Sequence, residues 1–223
     1  MNKKDLTETD IRTKFITPAI LKAGWDKDKQ LREEKAYTDG RILVQGKTYR
    51  RGKVKKTDYI LYHKSNLPLA VVEAKDNKHS MGEGMQQALD YAEDLDILFS
   101  FSSNGDGFIF HDKTTGEEKE ISLNEFPSHQ ELWNKYKQFK NIDEEIESLI
   151  TTEYYYEQGF KQPRYYQINA INRVIESIAK GNKRNLLVMA TGTGKTYVAF
   201  QILWRLWKAK KLKGFYIWQI GMY

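Results

Sequence analysis

The sequence feature that most constrains the fold is a glycine-rich turn between an apolar segment and an amphipathic one. Residues 185–196 read NLLVMATGTGKT, and YVAFQILWRLWKAK follows. In such a turn, backbone amides at a helix N-terminus cradle phosphates, the lysine pairs with the outer phosphates, and the hydroxyl meets Mg²⁺. The alternative is a structural glycine turn, because Met189 stands where the simple pattern has its first glycine.

This pattern predicts a strand at residues 185–190, then a phosphate loop and a helix, which is the order that opens a parallel nucleotide-binding sheet. About thirty residues remain after the turn, too few for the other strands of such a sheet. We therefore expect an incomplete P-loop (RecA-like) α/β unit over residues 163–223. The expected ATP contacts are Thr191, Gly192, Thr193, Gly194, Lys195 and Thr196, with Thr196 also facing the Mg²⁺ of the nucleotide.

Composition excludes several classes of protein. The 223 residues are 40% hydrophobic and 30% charged, a globular profile that excludes a disordered polymer, a collagen-like fibre and a membrane bundle. The absence of cysteine removes disulfides, thiolate catalysis and cysteine zinc sites. The N-terminus, MNKKDLTETD, turns polar where a signal peptide is apolar, so we expect a cytoplasmic protein.

The first half of the chain has the pattern of a mixed α/β domain, which we place at residues 1–128. A helix is predicted at residues 5–24, with a kink or a break at Pro18. A second helix is predicted within GEGMQQALDYAEDL, and residues 129–162 are predicted to be a charged helical connector. Short apolar runs between turn residues predict strands at 41–45, 57–63, 69–75, 96–103 and 107–112.

Two of these strands carry acids. Asp58 opens one strand, and the next presents Glu73 and Lys75 on the same face, since side chains alternate along a strand. If the strands form a hairpin, the two carboxylates approach each other and suit Mg²⁺, and the ammonium can orient a water for phosphodiester hydrolysis. The alternative is that all three are solvated charges of an amphipathic strand.

The segment TDYILYHKSNLPLAVVEAKDNKHSMGEGMQQALDYAEDL resembles the PD-(D/E)xK nucleases, and within them the N-terminal endonuclease domain of type I restriction enzyme R subunits. The resemblance implies a restriction-endonuclease-like mixed sheet flanked by helices. It also implies that Asp58 and Glu73, with the Ala74 carbonyl, bind Mg²⁺ and that Lys75 is catalytic. Three further positions match the family pattern: Gln87 and Tyr91 of its QxxxY element, and Glu8, an acid of the first helix that assists at the metal site.

Gln87 and Tyr91 are one helical turn apart, so they share a face. We expect them to position the DNA strand or the active site; the alternative is a polar helix face with a packed aromatic ring.

A second resemblance covers the end of the chain. PRYYQINAINRV, with Gln167, is similar to the adenine-recognising Q motif of superfamily 2 helicases, and MATGTGKT is similar to their first motif. The same motor follows the nuclease in type I R subunits. This implies ATP-driven translocation by a longer protein that works on double-stranded DNA with methylation and specificity subunits. No later DExx-type acids and no second motor domain follow in the sequence, so we expect a truncated chain or a frameshifted reading frame, no ATP turnover and weak or absent DNA cutting by this chain alone.

A basic segment adds a candidate DNA contact. The formal net charge is +6, and residues 47–56 contain no acid. Such a cluster can track a phosphate backbone by displacing counterions, although a solvated hairpin explains it equally well. The basic residues in question are Lys47, Arg50, Arg51, Lys53, Lys55 and Lys56.

Two other functions are compatible with these motifs. One is a nuclease-helicase of another repair or defence system with the same two modules. The other is a noncatalytic platform that binds DNA or a partner subunit through its basic face and in which the acids are structural charges.

Overall fold

The computed structural model describes residues 2–38, 42–45, 48–51, 54–157 and 162–211, with side chains for 2–36, 55–157 and 162–211. The chain divides into two compact units, Met1–Asn141 and Ile142–Tyr223. Among the described residues, none of the helices has the length and apolarity that crossing a bilayer requires.

A six-stranded mixed sheet forms the body of the first unit, as the sequence predicted. Its order is β1-β4-β5-β6-β7-β8, and β5 and β6 are its parallel pair, while every other neighbouring pair is antiparallel. A separate hairpin joins β2 and β3. The strands are β1 (Leu31–Thr38), β2 (Ile42–Gln45), β3 (Thr48–Arg51), β4 (Val54–Lys64), β5 (Leu67–Ala74), β6 (Phe99–Ser103), β7 (Gly107–Asp112) and β8 (Glu117–Ser122).

Helices flank the sheet and form the second unit. A 3₁₀ turn at Lys3–Asp5 and a π-helical stretch at Arg12–Ile16 accompany them near the N-terminus. The helices are α1 (Glu8–Ile11), α2 (Thr17–Lys22), α3 (Met85–Leu95), α4 (His129–Lys140), α5 (Glu144–Ile150), α6 (Tyr165–Ala179) and α7 (Lys195–Lys208).

The predicted first helix is present but interrupted. Helical backbone is continuous from Glu8 to Lys22, and its middle is the π-helical stretch that closely precedes Pro18. Proline lacks an N–H and its ring clashes with the carbonyl four residues earlier, so a wider turn before it relieves the clash. A capping box between Thr7 and Asp10 fixes the start of the helix.

Burial is deepest at the parallel pair. Every residue of β5 except Pro68 is buried, and all of β6 is buried. A parallel connection requires a crossover, and α3 supplies it with a face that includes the buried Met85, Ala88 and Tyr91. The carboxyl ends of β5 and β6 and the start of α3 therefore meet at one edge of the sheet.

Helix α4 belongs to the first unit, although the sequence placed it in a connector. Its buried Trp133 stacks on His63 of β4 with ring centroids 3.7 Å apart. Lys135 pairs with Asp112, which is buried at the end of β7, at 2.6 Å. These contacts fasten a helix with a mostly polar surface to the sheet.

The prediction of a strand at residues 185–190 is wrong. No strand is present there, and Leu186 and Val188 are exposed by 92% and 84%. A strand exists only through hydrogen bonds to a neighbour, and the described part of the second unit has no strand to supply them. Its described secondary structure is α5, α6 and α7, which pack through residues such as Ile150, Ile171, Ile175 and Leu206.

We expect Trp133→Ala to destabilise the first unit by about 3–5 kcal/mol, because it removes a fully buried aromatic ring and leaves a cavity. Denaturant unfolding monitored by circular dichroism measures this loss. Phe139→Ala is the matched control, since Phe139 lies on the same helix and is 47% exposed. Equal effects of the two substitutions would contradict the assigned packing.

Candidate metal centre and phosphate loop

Strand pairing brings Asp58 next to Glu73. Tyr59 pairs with Val72 in the antiparallel register of β4 and β5, so the preceding and following residues are neighbours. The backbone N–H of Ala74 donates to Asp58 Oδ2 at 2.8 Å, which fixes the carboxylate against the end of β5. The hairpin on which the approach of these two acids depends is therefore present.

Glu73 is a buried acid with one oxygen left without a donor. Its side chain is 3% exposed, Oε1 accepts from Lys75 Nζ at 3.1 Å, and Oε2 has no hydrogen-bond partner. Burial first, and the neighbouring charge of Asp58 second, raise the pKa of Glu73 to about 8. A buried carboxylate in this state is costly unless a proton or a cation neutralises it.

A chain of hydrogen bonds runs from Lys75 into α3. Lys75 Nζ donates to Gln87 Oε1 at 3.1 Å, and Gln87 Nε2 donates to Tyr91 Oη at 2.8 Å. Tyr91 Oη in turn donates to the carbonyl of Lys56 at 2.9 Å. Gln87 and Tyr91 thus hold the ammonium in place and tie it to the start of β4.

Glu8 belongs to the same electrostatic environment. Burial first, and then the charge of Asp58, raise the pKa of Glu8, while Lys75 and Arg12 oppose this shift. The pKa of Lys75 is raised, because the attraction of Glu73 and the other nearby acids outweighs the opposing effect of burial. The acids and the lysine therefore interact as one group.

Gly84 permits the close approach of α3. A Cβ atom there would lie 2.8 Å from Ser102 Oγ and 3.0 Å from Glu73 Cγ. Any larger residue there would push Ser102 and Glu73 out of place, so glycine just before α3 lets the helix start lie against Glu73. Sequence analysis missed both Gly84 and Ser102, a residue of β6 that pairs with Glu73 in the parallel register.

Sequence analysis also missed Arg12, which lies one turn after Glu8 and forms a 3.4 Å ion pair with Asp58 Oδ1. Its spacing from Glu8 was a signal that could have found it, since residues four apart share a helix face.

The predicted basic segment is only partly described. Lys47 and Lys53 lie outside the described residues, and Arg50 and Arg51 belong to β3, where side chains are not described. The two described lysines both pair with acids. Lys55 contacts Asp94 of α3 at 2.5 Å, and Lys56 contacts Glu34 at 2.9 Å.

The predicted phosphate loop forms a turn before α7. Gly192 and Gly194 have φ values of +76° and +88°, and Gly194 caps the helix that Lys195 and Thr196 begin. Such positive φ values favour glycine. Thr191, Lys195 and Thr196 are exposed, and Thr193 Oγ1 donates to the carbonyl of Ala190 at 2.6 Å.

Gln167 contacts this turn directly. Its Oε1 accepts from the backbone N–H of Arg164 at 2.8 Å, and its Nε2 donates to the carbonyl of Thr193 at 2.8 Å. A Cβ at Gly194 would lie within hard contact of Gln167 Nε2. The glutamine of the predicted Q motif and the phosphate loop are therefore one structural element.

Two family models match parts of the chain. Residues 42–119 match the family model described as type I restriction enzyme R protein N terminus, and residues 160–217 match the model described as type III restriction enzyme, res subunit. The chain is 53% identical over 217 residues, 96% of its length, to the endonuclease subunit of the type I restriction enzyme EcoAI from Escherichia coli.

The chain belongs to the R-subunit family of type I restriction enzymes. A solved fragment of an HsdR subunit of a type I restriction enzyme from Vibrio vulnificus YJ016 is 41% identical and covers 92% of the chain with a TM-score of 0.80. The endonuclease subunit of the E. coli K12 enzyme EcoKI is 46% identical over 50 residues, 22% of the chain and 4% of that subunit. The chain spans 27% of the EcoAI subunit and 39% of the Vibrio chain.

We expect Glu73→Gln to stabilise the metal-free R-subunit chain increasingly as the pH rises from 5 to 8. The pKa of Glu73 is about 8 in the folded state and 4.5 in its ordinary state, so folding takes up a proton in this window. The wild type therefore loses stability as the pH rises, while the amide has no proton to lose. At pH 8 the free energy of unfolding of the variant should exceed that of the wild type by at least about 1 kcal/mol.

Denaturant unfolding in a chelator at several pH values measures the difference. Glu117→Gln, at an exposed position of β8, is the control and should follow the wild type. If the free energy of unfolding of the wild type changed with pH in the same way as that of Glu73→Gln, the raised pKa would be contradicted.

Proposed function

We propose that the first unit is a Mg²⁺-dependent nuclease that hydrolyses phosphodiester bonds of double-stranded DNA, as part of the cleaving and translocating subunit of a type I restriction enzyme. One observation carries the proposal: Glu73 is buried with an unpartnered Oε2 beside Asp58 and Lys75. A structural charge in that place would have a complete set of donors. The names of the relatives, endonuclease subunits of type I restriction enzymes, support the same function.

The donor set fits a hard divalent cation. Among the described residues, no three His, Asp or Glu side chains are grouped to hold a metal ion, so the candidate ligands are the two carboxylates of Asp58 and Glu73. Mg²⁺ is commonly held by one or two carboxylates while waters and phosphate oxygens complete its shell. Once bound, such an ion stabilises negative charge that develops on the phosphate. The family resemblance adds the Ala74 carbonyl as a third oxygen and Glu8 as an outer acid.

Lys75 is the residue that handles water in this proposal. An ammonium has three N–H donors, and Glu73 and Gln87 accept two of them. The third can donate to the attacking water or to a phosphate oxygen. Gln87 and Tyr91 keep the ammonium at this position, so their role is to orient the lysine.

The second unit supplies part of an ATP site in this proposal. The amides that follow Gly192 and Gly194 would face the phosphates, Lys195 the outer phosphates and Thr196 the Mg²⁺ of the nucleotide. In the structure, Lys195 Nζ donates to the carbonyl of Met189 at 3.2 Å. Gln167 would recognise adenine, and its hydrogen bond to the carbonyl of Thr193 would support the loop.

The larger assembly is also part of the proposal. The proposal includes DNA translocation, the methylation and specificity subunits as partners, and a cytoplasmic location. The similarity to the longer EcoAI subunit supports these points. The basic segment at residues 47–56 would contact the DNA backbone without reading its sequence.

Metal titration tests the nuclease site. We expect Mn²⁺ to bind the wild-type chain in calorimetry and binding to be lost in Asp58→Ala and in Glu73→Ala, because each removes one of two charged ligands. Asp94→Ala is the control, since it removes a carboxylate that pairs with Lys55. Unchanged binding in both variants, or no binding by a folded wild type, would refute the metal site.

Nucleotide binding tests the phosphate loop separately. We expect Lys195→Ala to weaken binding of a fluorescent ATP analogue by at least about tenfold, because it removes the cation that faces the outer phosphates. Lys208→Ala, at the opposite end of α7, should bind as the wild type does. Equal affinity of the two variants would contradict the assignment.

A further inference from the structure

Arg12 is a buried cation beside the candidate metal centre. Its side chain is 9% exposed, and its guanidinium lies over the ring of Tyr59 at 5.0 Å from the centroid. Tyr59 is fully buried, and its hydroxyl is hydrogen-bonded to Thr17 of α2 at 2.9 Å. The guanidinium is therefore held between the first helical segment and β4.

Three carboxylates surround this one guanidinium. Nη1 donates to Glu34 Oε1 at 3.0 Å and lies 3.4 Å from Asp58 Oδ1. Nη2 lies 3.6 Å from Glu33 Oε2. Glu33 and Glu34 belong to β1, are exposed by 43% and 52%, and anchor the guanidinium from the solvent side, while Asp58 is the contact inside the site.

These contacts fix the Asp58 carboxylate at both oxygens. Oδ2 accepts from the N–H of Ala74, and Oδ1 faces Arg12. A carboxylate contacted at both oxygens resists rotation about its last torsion, which favours one direction for its remaining lone pairs. Glu73, the other candidate metal ligand, lies next to Asp58 in the register of β4 and β5.

A purely structural role explains the burial of Arg12 poorly. Its Nε is buried and has no hydrogen-bond partner. Burying an unsatisfied donor costs free energy, so the position of the two terminal nitrogens must compensate for that cost. An apolar side chain would fasten the helix to Tyr59 without that cost.

We infer that Arg12 is a positioning residue that orients the Asp58 carboxylate for the metal ion. The inference rests on the proposed function. Arg12 itself contacts neither the metal nor the substrate, and it acts through Asp58. The fork matters because Nη1 contacts Glu34 and Asp58 while Nη2 contacts Glu33, so the second nitrogen fixes the direction in which the first one points.

Mn²⁺ calorimetry on Arg12→Gln and Arg12→Lys tests this inference, with thermal unfolding to confirm that each variant is folded. Loss of a group that orients a metal ligand costs about 10–100-fold in affinity, and we expect Arg12→Gln to fall in that range. Arg12→Lys keeps the charge but not the fork, so we expect a weakening of at least about threefold. Arg32→Gln is the matched control, since Arg32 donates to the backbone carbonyls of Asp28 and Leu31 and should leave Mn²⁺ binding unchanged.

The outcomes separate the two proposals. A lower unfolding temperature in both Arg12 variants with wild-type Mn²⁺ affinity would reduce Arg12 to a structural contact and overturn the inference. Tighter Mn²⁺ binding by Arg12→Gln would also overturn it, because the arginine would then be a cation that competes with the metal. If Arg12→Gln does not fold, wild-type affinity in Arg12→Lys is the contrary result. Failure of the wild type to bind Mn²⁺, or binding that survives Asp58→Ala, would refute the nuclease site itself and the inference with it.

Discussion

The first unit depends on a conflict between burial and charge at the end of β5. This strand is apolar and buried because it pairs in parallel with β6 beneath the crossover helix α3, yet Glu73 is its penultimate residue and Lys75 follows its end. The free energy lost by desolvating Glu73 is recovered only in part by Lys75, since one carboxylate oxygen lacks a donor. The neighbouring elements act on this charge in opposite directions. Asp58 of β4 and Glu8 of the first helix add negative charge beside Glu73. Gln87 of α3 holds Lys75 next to it, and Arg12 pairs with Asp58.

The sequence predicted this part of the fold well because its signals are local. Apolar runs bounded by turns correspond to β4, β5, β6 and β7. The prediction that Asp58 opens its strand is wrong, because β4 begins at Val54 and Asp58 lies within it. Strands β1 and β8 were missed because LREEKAYT and EEKEIS carry too many charges to look like strands. Their strand conformation comes from pairing with β4 and β7, a tertiary effect that local patterns do not contain.

Long-range geometry limits what the sequence can say about the candidate site. The spacing of Asp58, Glu73 and Lys75 predicted that these three side chains can approach each other, but the contact of Arg12 with β1 and β4 depends on where the first helix lies. The apolar run at residues 185–190 shows the opposite error. Its composition is typical of a buried strand, but composition alone forms no strand without a partner to accept and donate its hydrogen bonds.

The hydrogen-bond chain from Lys75 to the carbonyl of Lys56 has a fixed polarity. An ammonium can only donate, so Gln87 must turn its oxygen to Lys75 and its amide nitrogen to Tyr91. The tyrosine hydroxyl must then give its only proton to the carbonyl of Lys56. Every proton in the chain thus points away from the lysine, and the amide orientation of Gln87 follows without ambiguity. A carboxylate in place of Gln87 would accept at both ends, turn the tyrosine hydroxyl around and leave the carbonyl at the start of β4 without its donor.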